Sequence, residues 1–383
     1  MPAKHRAQPS PPAFRPGLLL AILLLLAGLA AGGFLIWEKA GSAPPPSAPT
    51  PTAPPAPTAS PTPVPTPAPT PSPTPAPTPT PSPAPIPDTG EDGYASEGLY
   101  IWNNMAFELF YGYNEAAEPY AQAIESFAAQ LPGIRVYNLV VPNHCEFGLP
   151  QRLRDALGCG SQRENTAYIY GSYQNVIPVD AYDTLDQHKA EYLYFNTDTH
   201  WTGLGAYYAY RAFCDTAEAE PAALEDFTVE TYDGFLGYLY QLCGESCLAG
   251  QPDHIDLYEP GFPYTAALSD DGESFTEVAG VNSTDSSMGY SMYLWGDNPC
   301  FRVVNESLST GRKLVLVKES YGNAIAPFLA ASFDEVYVVD FRSFAGSLPS
   351  FCAGKGITDV LFLNSTIAAN TYARVEDLQS LFP

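Results

Sequence analysis

Two short runs of the chain contain the residue types of an activated serine nucleophile. Asn196–Thr202 contains Asp198 and His200 two positions apart, and Lys318–Asn323 contains Ser320. In an extended segment, positions i and i+2 point to the same side, so we expect Asp198 to hold the Nδ1–H group of His200. The Nε2 atom of His200 is then free to take the proton of the Ser320 hydroxyl. The two runs together predict nucleophilic catalysis by a serine.

The surroundings of Ser320 predict how a developing negative charge would be stabilised. Ser320 follows the apolar, strand-like run Leu314–Val317 and precedes a predicted helix. The backbone N–H groups of Tyr321 and Gly322 at the helix start are candidate oxyanion donors. Asn323 is a further candidate for contact with the oxyanion or the substrate. The alternative role for Ser320 is to cap the helix that follows it.

Other polar and aromatic residues near these runs have two possible roles. Trp201 either walls the site and docks the face of a sugar, or is a plain core tryptophan. Asn143 and His144 follow a predicted strand, which makes Asn143 a candidate oxyanion donor at the mouth of the site. An ordinary strand-end turn is the favoured alternative for both.

Two segments resemble the signature regions of a known family, the DHHW proteins. They are Tyr192–Tyr210 and Lys313–Arg342. These proteins are relatives of the AlgX/AlgJ-type SGNH-hydrolase-like polysaccharide O-acetyltransferases. The family's Asp-x-His-Trp signature reads Asp-Thr-His-Trp at residues 198–201, and its usual Lys-Asp-Ser-Tyr reads Lys-Glu-Ser-Tyr at residues 318–321. The residue before the serine therefore differs from the family pattern but keeps its charge.

The resemblance implies a function in more detail than the residues do. Ser320 falls at the family's nucleophile position, and acetyl transfer onto a surface polysaccharide is the implied reaction. A membrane O-acyltransferase is the implied partner that supplies the acetyl groups. Whether water or a sugar hydroxyl takes the acyl group stays open at this stage. The rival from another class is a non-catalytic cell-wall or glycan-binding protein on the same fold.

The N-terminal region predicts a membrane anchor. Residues 16–37 contain no charge and are long enough to cross ~30 Å of hydrocarbon. The residues before this run include the basic side chains of Lys4, Arg6 and Arg15 and contain no acidic side chain. The positive-inside rule places this tail, residues 1–15, in the cytoplasm and everything after the anchor outside the cell. A cleaved signal peptide is the alternative, but the apolar run continues to Trp37, which favours the anchor.

A proline-rich linker is predicted between the anchor and the globular region. Residues 41–87 are almost entirely Pro, Ala, Thr and Ser and carry no charge. This composition cannot bury a core and favours an extended polyproline conformation of ~3.1 Å per residue. The linker is therefore predicted to hold a domain, residues 88–383, away from the membrane.

Charge and cysteine content limit the possible partners. The chain has 42 Asp and Glu against 17 Lys and Arg, a net charge of −25. This acidity argues against nucleic acid as a partner and leaves a neutral sugar compatible. The seven cysteines do not follow zinc spacing. The close pair Cys243 and Cys247 is a candidate to close a small loop. No metal site, phosphate loop or other cofactor is predicted.

The elements that must position these residues alternate between strands and helices. Strands are predicted over 134–141, 166–170, 176–179, 313–317, 335–339 and 359–363, and helices over 118–131, 203–217, 322–331 and 373–381. This alternation predicts a parallel sheet covered on both faces, and the resemblance implies its SGNH-hydrolase-like (flavodoxin-like) version. Ser320 then lies beyond the carboxyl end of a strand, where ligands bind in such sheets. Residues 235–298 are predicted to be insertion loops beside the site.

Overall fold

A computed structural model describes residues 87–383. The predicted anchor, residues 16–37, and the predicted linker up to residue 86 lie outside the described part of the chain. Within residues 87–383, no helix has the length and apolar character needed to cross a membrane.

The centre of the fold is an eight-stranded sheet in the described region. Its strand order is β5-β4-β13-β11-β12-β10-β8-β9, and separate small sheets pair β1-β2-β3 and β6-β7. The strands are β1 Tyr94–Ser96, β2 Leu99–Trp102, β3 Met105–Phe107, β4 Arg135–Val141, β5 Ile177–Pro178, β6 Phe227–Phe235, β7 Asp253–Pro260, β8 Tyr264–Ser269, β9 Thr276–Val278, β10 Cys300–Asn305, β11 Lys313–Lys318, β12 Glu335–Asp340 and β13 Asp359–Ser365.

The sheet is mixed. Strands β5, β4, β13, β11 and β12 pair in parallel, whereas β10, β8 and β9 extend the sheet in antiparallel pairs. The prediction of a parallel sheet is therefore correct for one half and wrong for the antiparallel edge. Much of that edge comes from residues 235–298, which were predicted to be loops and contain β7, β8 and β9.

The central strand β11 shows why the sheet is covered on both faces. Leu314 and Leu316 pack into one apolar cluster, and Val315 and Val317 pack into the cluster on the opposite face. Successive side chains of a strand point to opposite faces, so an uninterrupted apolar run fits a strand that is buried on both sides.

Helices cover these two faces. The helices are α1 Asn114–Ala128, α2 His144–Gly148, α3 Gln151–Leu157, α4 Gln162–Gly171, α5 Tyr182–His188, α6 Gly203–Ala217, α7 Tyr238–Cys243, α8 Ser246–Ala249, α9 Ala326–Leu329, α10 Leu348–Lys355, α11 Thr366–Ala369 and α12 Tyr372–Gln379. Helix α6 packs in the cluster of Leu314, and α1, α10 and α12 pack in the cluster of Val315. Helix α6 has the bounds predicted from the sequence.

Two predicted elements are wrong. Residues 166–170 belong to helix α4 and not to a strand; Ser161 caps this helix by accepting the N–H group of Glu164. The single helix predicted over 322–331 is instead a 3₁₀ turn, Ser320–Asn323, followed by the short helix α9 with Pro327 in its first turn. Proline has no N–H group to donate and is best accommodated in the first turn of a helix.

The seven cysteines all lie in the described region and form no disulfide. The loop predicted to be closed by Cys243 and Cys247 is therefore held by other contacts. Both residues are partly buried and pack against the apolar cluster beneath helices α7 and α8.

Candidate active site

Ser320 lies where the order of the strands reverses. The chain leaves β11 for β12 and returns to β13 on the other side of β11, and ligand sites of α/β sheets form beyond the carboxyl ends of strands at such a point. The turn after β11 is tight because Gly322 lies directly over the stem of Lys318, where an added Cβ would be 2.4 Å from the Lys318 Cβ. Ser320 remains partly exposed in this turn.

Asp198 and His200 lie in the loop before helix α6. Its start is fixed by the buried carboxylate of Asp253, which accepts the backbone N–H groups of Asn196 and Thr197 at 3.0 and 2.8 Å. Its end is fixed by Trp201, whose indole N–H donates to the carbonyl oxygen of Tyr321 at 2.8 Å. Trp201 is fully buried. It therefore acts as a core residue that ties the two sequence runs together, not as a wall or sugar platform.

The structure brings Asp198, His200 and Ser320 together. His200 Nδ1 lies 2.6 Å from Asp198 Oδ1, and His200 Nε2 lies 2.8 Å from Ser320 Oγ. With the ionised carboxylate of Asp198 as acceptor, Nδ1 carries the proton and Nε2 is the nearer acceptor for the serine O–H group. A carboxylate oxygen of Glu319 lies farther from Ser320 Oγ, at 3.2 Å. The arrangement can accept the proton of Ser320 and stabilise the imidazolium that results.

The carboxylate of Asp198 is buried and held on both oxygens. Oδ1 also accepts the N–H group of His200 at 3.1 Å, and Oδ2 accepts the N–H group of Tyr238 at 2.7 Å. Burial alone would raise the pKa of Asp198, but the hydrogen bonds and the charge of His200, with the Tyr238 N–H group, lower it below its usual value. Asp198 is therefore ionised at neutral pH.

Tyr290 is a site residue that the sequence did not indicate. Its ring stacks on the imidazole of His200 with centroids 3.7 Å apart and planes at 6°. Its hydroxyl donates to the carbonyl oxygen of Ser320 at 3.0 Å. One tyrosine thus restrains both the base and the backbone of the serine. Tyr290 lies within residues 235–298, a segment with many Gly and Ser residues. Its apolar residues do not have the regular spacing that predicts a helix or a strand, so nothing in the sequence indicated Tyr290.

A network of charges lies beneath the serine turn. The amine of Lys318 is fully buried and donates to Asp340 at 2.7 Å and to Asp297 at 3.1 Å. The Nη2 atom of Arg342 contacts the same two carboxylates at 2.6 and 2.8 Å. Burial opposes ionisation of Asp297, but Lys318 and Arg342 lower its pKa to about 2. The network holds the guanidinium of Arg342 in a fixed position, and Arg342 lines the same cavities as Ser320.

Two cavities meet at Ser320, and His200, Arg342 and Arg374 also line both of them. One has a volume of about 300 Å³ and is bounded by residues after β13, including Ile367 and Ala368. The other has a volume of about 870 Å³ and is open to solvent between helix α7 and the Ser286–Trp295 segment. Ser320 and His200 are therefore accessible from two sides.

The predicted oxyanion donors Tyr321 and Gly322 are already in use. The Tyr321 N–H group donates to the carboxylate of Glu319 at 3.1 Å, and the Gly322 N–H group donates to the Glu319 carbonyl at 2.8 Å. Asn323 lines the larger cavity and its Nδ2 atom donates to Asp297 at 3.0 Å. In this structure the turn is thus closed by its own N-terminal glutamate, and the role of Tyr321 and Gly322 as oxyanion donors stays a prediction.

Asn143 is also not a site residue. It is buried, its amide donates to the carbonyl oxygen of Glu108 at 3.0 Å, and its Oδ1 atom accepts from Gln162 at 2.5 Å. It lines neither cavity at Ser320. The neighbouring His144 is buried against Tyr194, and burial lowers its pKa to about 3. After strand β4, Asn143 is therefore the N-cap residue of helix α2, and His144 begins the helix.

Within residues 87–383, no group of three His, Cys, Asp or Glu side chains is placed to hold a metal ion.

Comparisons with known proteins place this arrangement in a family. Residues 86–339 match the family model described as DHHW protein. A crystal structure of a DHHW family protein from Eubacterium siraeum aligns with a TM-score of 0.69 and 31% sequence identity, over 76% of this chain and 98% of that chain. No curated protein matches the chain significantly.

One more distant structure shares the fold, and another is less similar. Bacillus cereus PatB1 with a sulfonyl adduct aligns with a TM-score of 0.61 and 18% identity, over 73% of this chain and 97% of that chain. The O-acetyltransferase domain of Pseudomonas putida AlgJ aligns with a TM-score of 0.43 and 16% identity, over 74% and 98% of the two chains. The PatB1 likeness shows the mixed α/β fold alone, and the AlgJ score is too low to support an inference.

Proposed function

Since this chain belongs to the DHHW protein family, we propose that it is a serine acyltransferase or esterase that forms an acyl-Ser320 intermediate. The hydrogen-bonded relay from Asp198 through His200 to Ser320, at the meeting point of two cavities, carries this proposal. A serine that merely capped the following turn would not need an imidazole held by a buried carboxylate. The cap of this turn is in fact Glu319.

The reaction follows from the relay. Ser320 Oγ attacks the ester carbonyl carbon while His200 Nε2 takes its proton, and collapse of the tetrahedral intermediate expels the leaving oxygen, which receives that proton. A second hydroxyl then attacks the acyl-serine ester, and the proton passes through His200 back to Ser320. Asp198 holds His200 in the required tautomer throughout.

We propose that Arg342 contributes positive charge for the developing oxyanion. The guanidinium lines both cavities at Ser320. Its Nε and Nη2 atoms are bound by Asp340 and Asp297, so it is fixed before substrate arrives. A fixed cation costs no reorganisation when charge develops.

The transferred group and the location are proposed from the sequence. The signature regions at residues 192–210 and 313–342 resemble those of the DHHW proteins, which are relatives of polysaccharide O-acetyltransferases. The proposed transferred group is therefore acetyl, and the proposed acceptor is a surface polysaccharide. A membrane O-acyltransferase is then the acetyl donor. The uncharged residues 16–37 would anchor the chain with its C-terminal domain outside the cell. Protease added to intact cells should then release the domain, and its protection by the membrane would contradict this orientation.

Ester hydrolysis tests the proposed chemistry. The purified full-length chain should release nitrophenol from p-nitrophenyl acetate. Ser320→Ala should remove nearly all of this activity, because the nucleophilic hydroxyl is lost. His200→Ala should behave similarly. The matched control is Ser350→Ala, which changes an exposed serine in helix α10. Equal hydrolysis by wild type and Ser320→Ala would show that the site assignment is wrong.

A further inference from the structure

The two cavities at Ser320 differ in size and in lining. The smaller, about 300 Å³, has aliphatic groups of Ile367 and Ala368 in its wall. The larger, about 870 Å³, is within the range of ligand-binding clefts. Acyl transfer needs one place for the acyl group and another for the acceptor, and the two cavities can supply one each.

The larger cavity has a lining suited to a sugar chain. Its wall carries uncharged polar side chains that are exposed and can bind hydroxyl groups, namely Gln241, Ser286, Ser287 and Ser291. Each of these side chains can both donate and accept hydrogen bonds, as a sugar hydroxyl does. Polar groups of this kind fix orientation, and the apolar contact must come from another side chain.

Tyr238 provides that apolar contact. It lines the larger cavity, and its side chain is 52% exposed and so accessible to a ligand there. Its position is fixed relative to the catalytic residues, because its backbone N–H group donates to Asp198 at 2.7 Å. A tyrosine ring offers a rigid, amphipathic surface at little entropic cost. The C–H face of a pyranose ring is a fitting partner for such a surface.

The charges of this cavity favour an uncharged glycan. Arg342 is paired with Asp340 and Asp297, and Arg374 is paired with Asp377 at 2.8 Å. The cations are therefore balanced locally, and the chain as a whole carries a net charge of −25. An anionic polymer would be repelled by this field.

We propose that the larger cavity binds a neutral glycan acceptor and that Tyr238 is the platform on which one sugar ring stacks. This assignment rests on the proposed acyltransferase function. The bound sugar hydroxyl attacks the acetyl carbon of acyl-Ser320, and the bond from that carbon to Ser320 Oγ breaks. His200 takes the sugar proton and returns it to Ser320. The smaller cavity then holds the acyl group.

Binding and transfer are measured separately. On the full-length Ser320→Ala chain, calorimetry measures the affinity for the neutral hexasaccharides cellohexaose, chitohexaose and maltohexaose. On the active chain, p-nitrophenyl acetate supplies the acetyl group, and mass spectrometry follows acetylation of the same sugars. Tyr238→Ala should weaken binding, and raise the half-saturating sugar concentration, by about tenfold, equal to about 1.4 kcal/mol. Tyr238→Phe keeps the ring and should weaken binding much less than Tyr238→Ala does.

The outcomes separate the two proposals. The control Tyr168→Ala removes another exposed helical tyrosine that lines neither cavity, and it should not change the affinity. The glycan assignment is overturned if Tyr238→Ala binds the sugars as tightly as the Ser320→Ala chain that keeps Tyr238. It is also overturned if none of the three sugars binds at millimolar concentration. Ester hydrolysis that persists in Ser320→Ala overturns the acyltransferase proposal instead, whatever the sugar affinities are.

Discussion

Gly237 offers a test of the relay that leaves all three reacting side chains in place. Its backbone angles, φ −81° and ψ −168°, are open to any residue. Space is the constraint, because a Cβ atom added here would lie 2.3 Å from the Asp198 Cβ atom and 2.4 Å from its Oδ2 atom. The carboxylate of Asp198 must therefore move in Gly237→Ala.

The size of the effect follows from these distances. Carbon atoms in contact prefer roughly 3.5–4.0 Å, so Asp198 and the new methyl group must separate by about 1 Å. That movement strains the 2.6 Å hydrogen bond to His200 and the 2.7 Å bond from Tyr238. A misplacement of about 1 Å in a catalytic constellation costs on the order of 10²-fold in rate. We expect kcat/KM for p-nitrophenyl acetate to fall by about that factor.

The control is Gly250→Ala at the end of the neighbouring helix α8. An added Cβ atom there has its nearest contact at 3.5 Å, which is ordinary packing, so the rate should be unchanged. In an Asp198→Ala background, Gly237→Ala should cost little more, because the carboxylate it displaces is gone. Urea unfolding verifies that each variant is folded. A folded Gly237→Ala chain with the wild-type rate would refute the role given to the position of Asp198.

Further predictions concern the residues around the relay. Tyr290→Phe removes the hydrogen bond to Ser320 but keeps the stack on the imidazole, so it should lower kcat less than Tyr290→Leu, and only the leucine variant should shift the pH–rate profile. Lys318→Met leaves the buried carboxylate of Asp340 without its amine and should lower the free energy of unfolding by about 3 kcal/mol, whereas Lys313→Met, on the same strand but partly exposed, should cost at most about 1 kcal/mol; urea titration measures both. The pKa of Asp297 is lowered to about 2 in the folded chain, so its stabilisation is complete above the unfolded value of about 4 and is lost as pH falls from 4 to 2. In Asp297→Asn, the urea concentration at the unfolding midpoint should therefore decrease less between pH 4 and pH 2 than it does in the wild type.

The sequence predicted the part of the site that depends on short-range spacing. The i and i+2 positions of Asp198 and His200 gave the correct contact between the two side chains, and the apolar run of β11 placed Ser320 at a strand end. The proximity of the two runs came from the family resemblance, because nothing local in either run specifies a partner over a hundred residues away.

The remainder of the site depends on long-range packing. Tyr290 and Asp297 lie in a segment without helical or strand periodicity, so their contacts with His200 and Lys318 could not be predicted. The occupied amide of Tyr321 follows from the side-chain conformation of Glu319, which a sequence does not give. The sequence does contain evidence against the strand predicted over 166–170, since Ser161 and Glu164 have the spacing of a helix cap.

Covalent labelling of Ser320 tests the central claim most directly. The folded full-length chain is treated with phenylmethylsulfonyl fluoride, and the adduct is located by peptide mass spectrometry. An activated serine should take up one sulfonyl group at Ser320, and His200→Ala should slow this labelling strongly because the hydroxyl loses its base. A folded wild-type chain that takes up no reagent at Ser320, or that labels at the same rate with and without His200, would contradict the account.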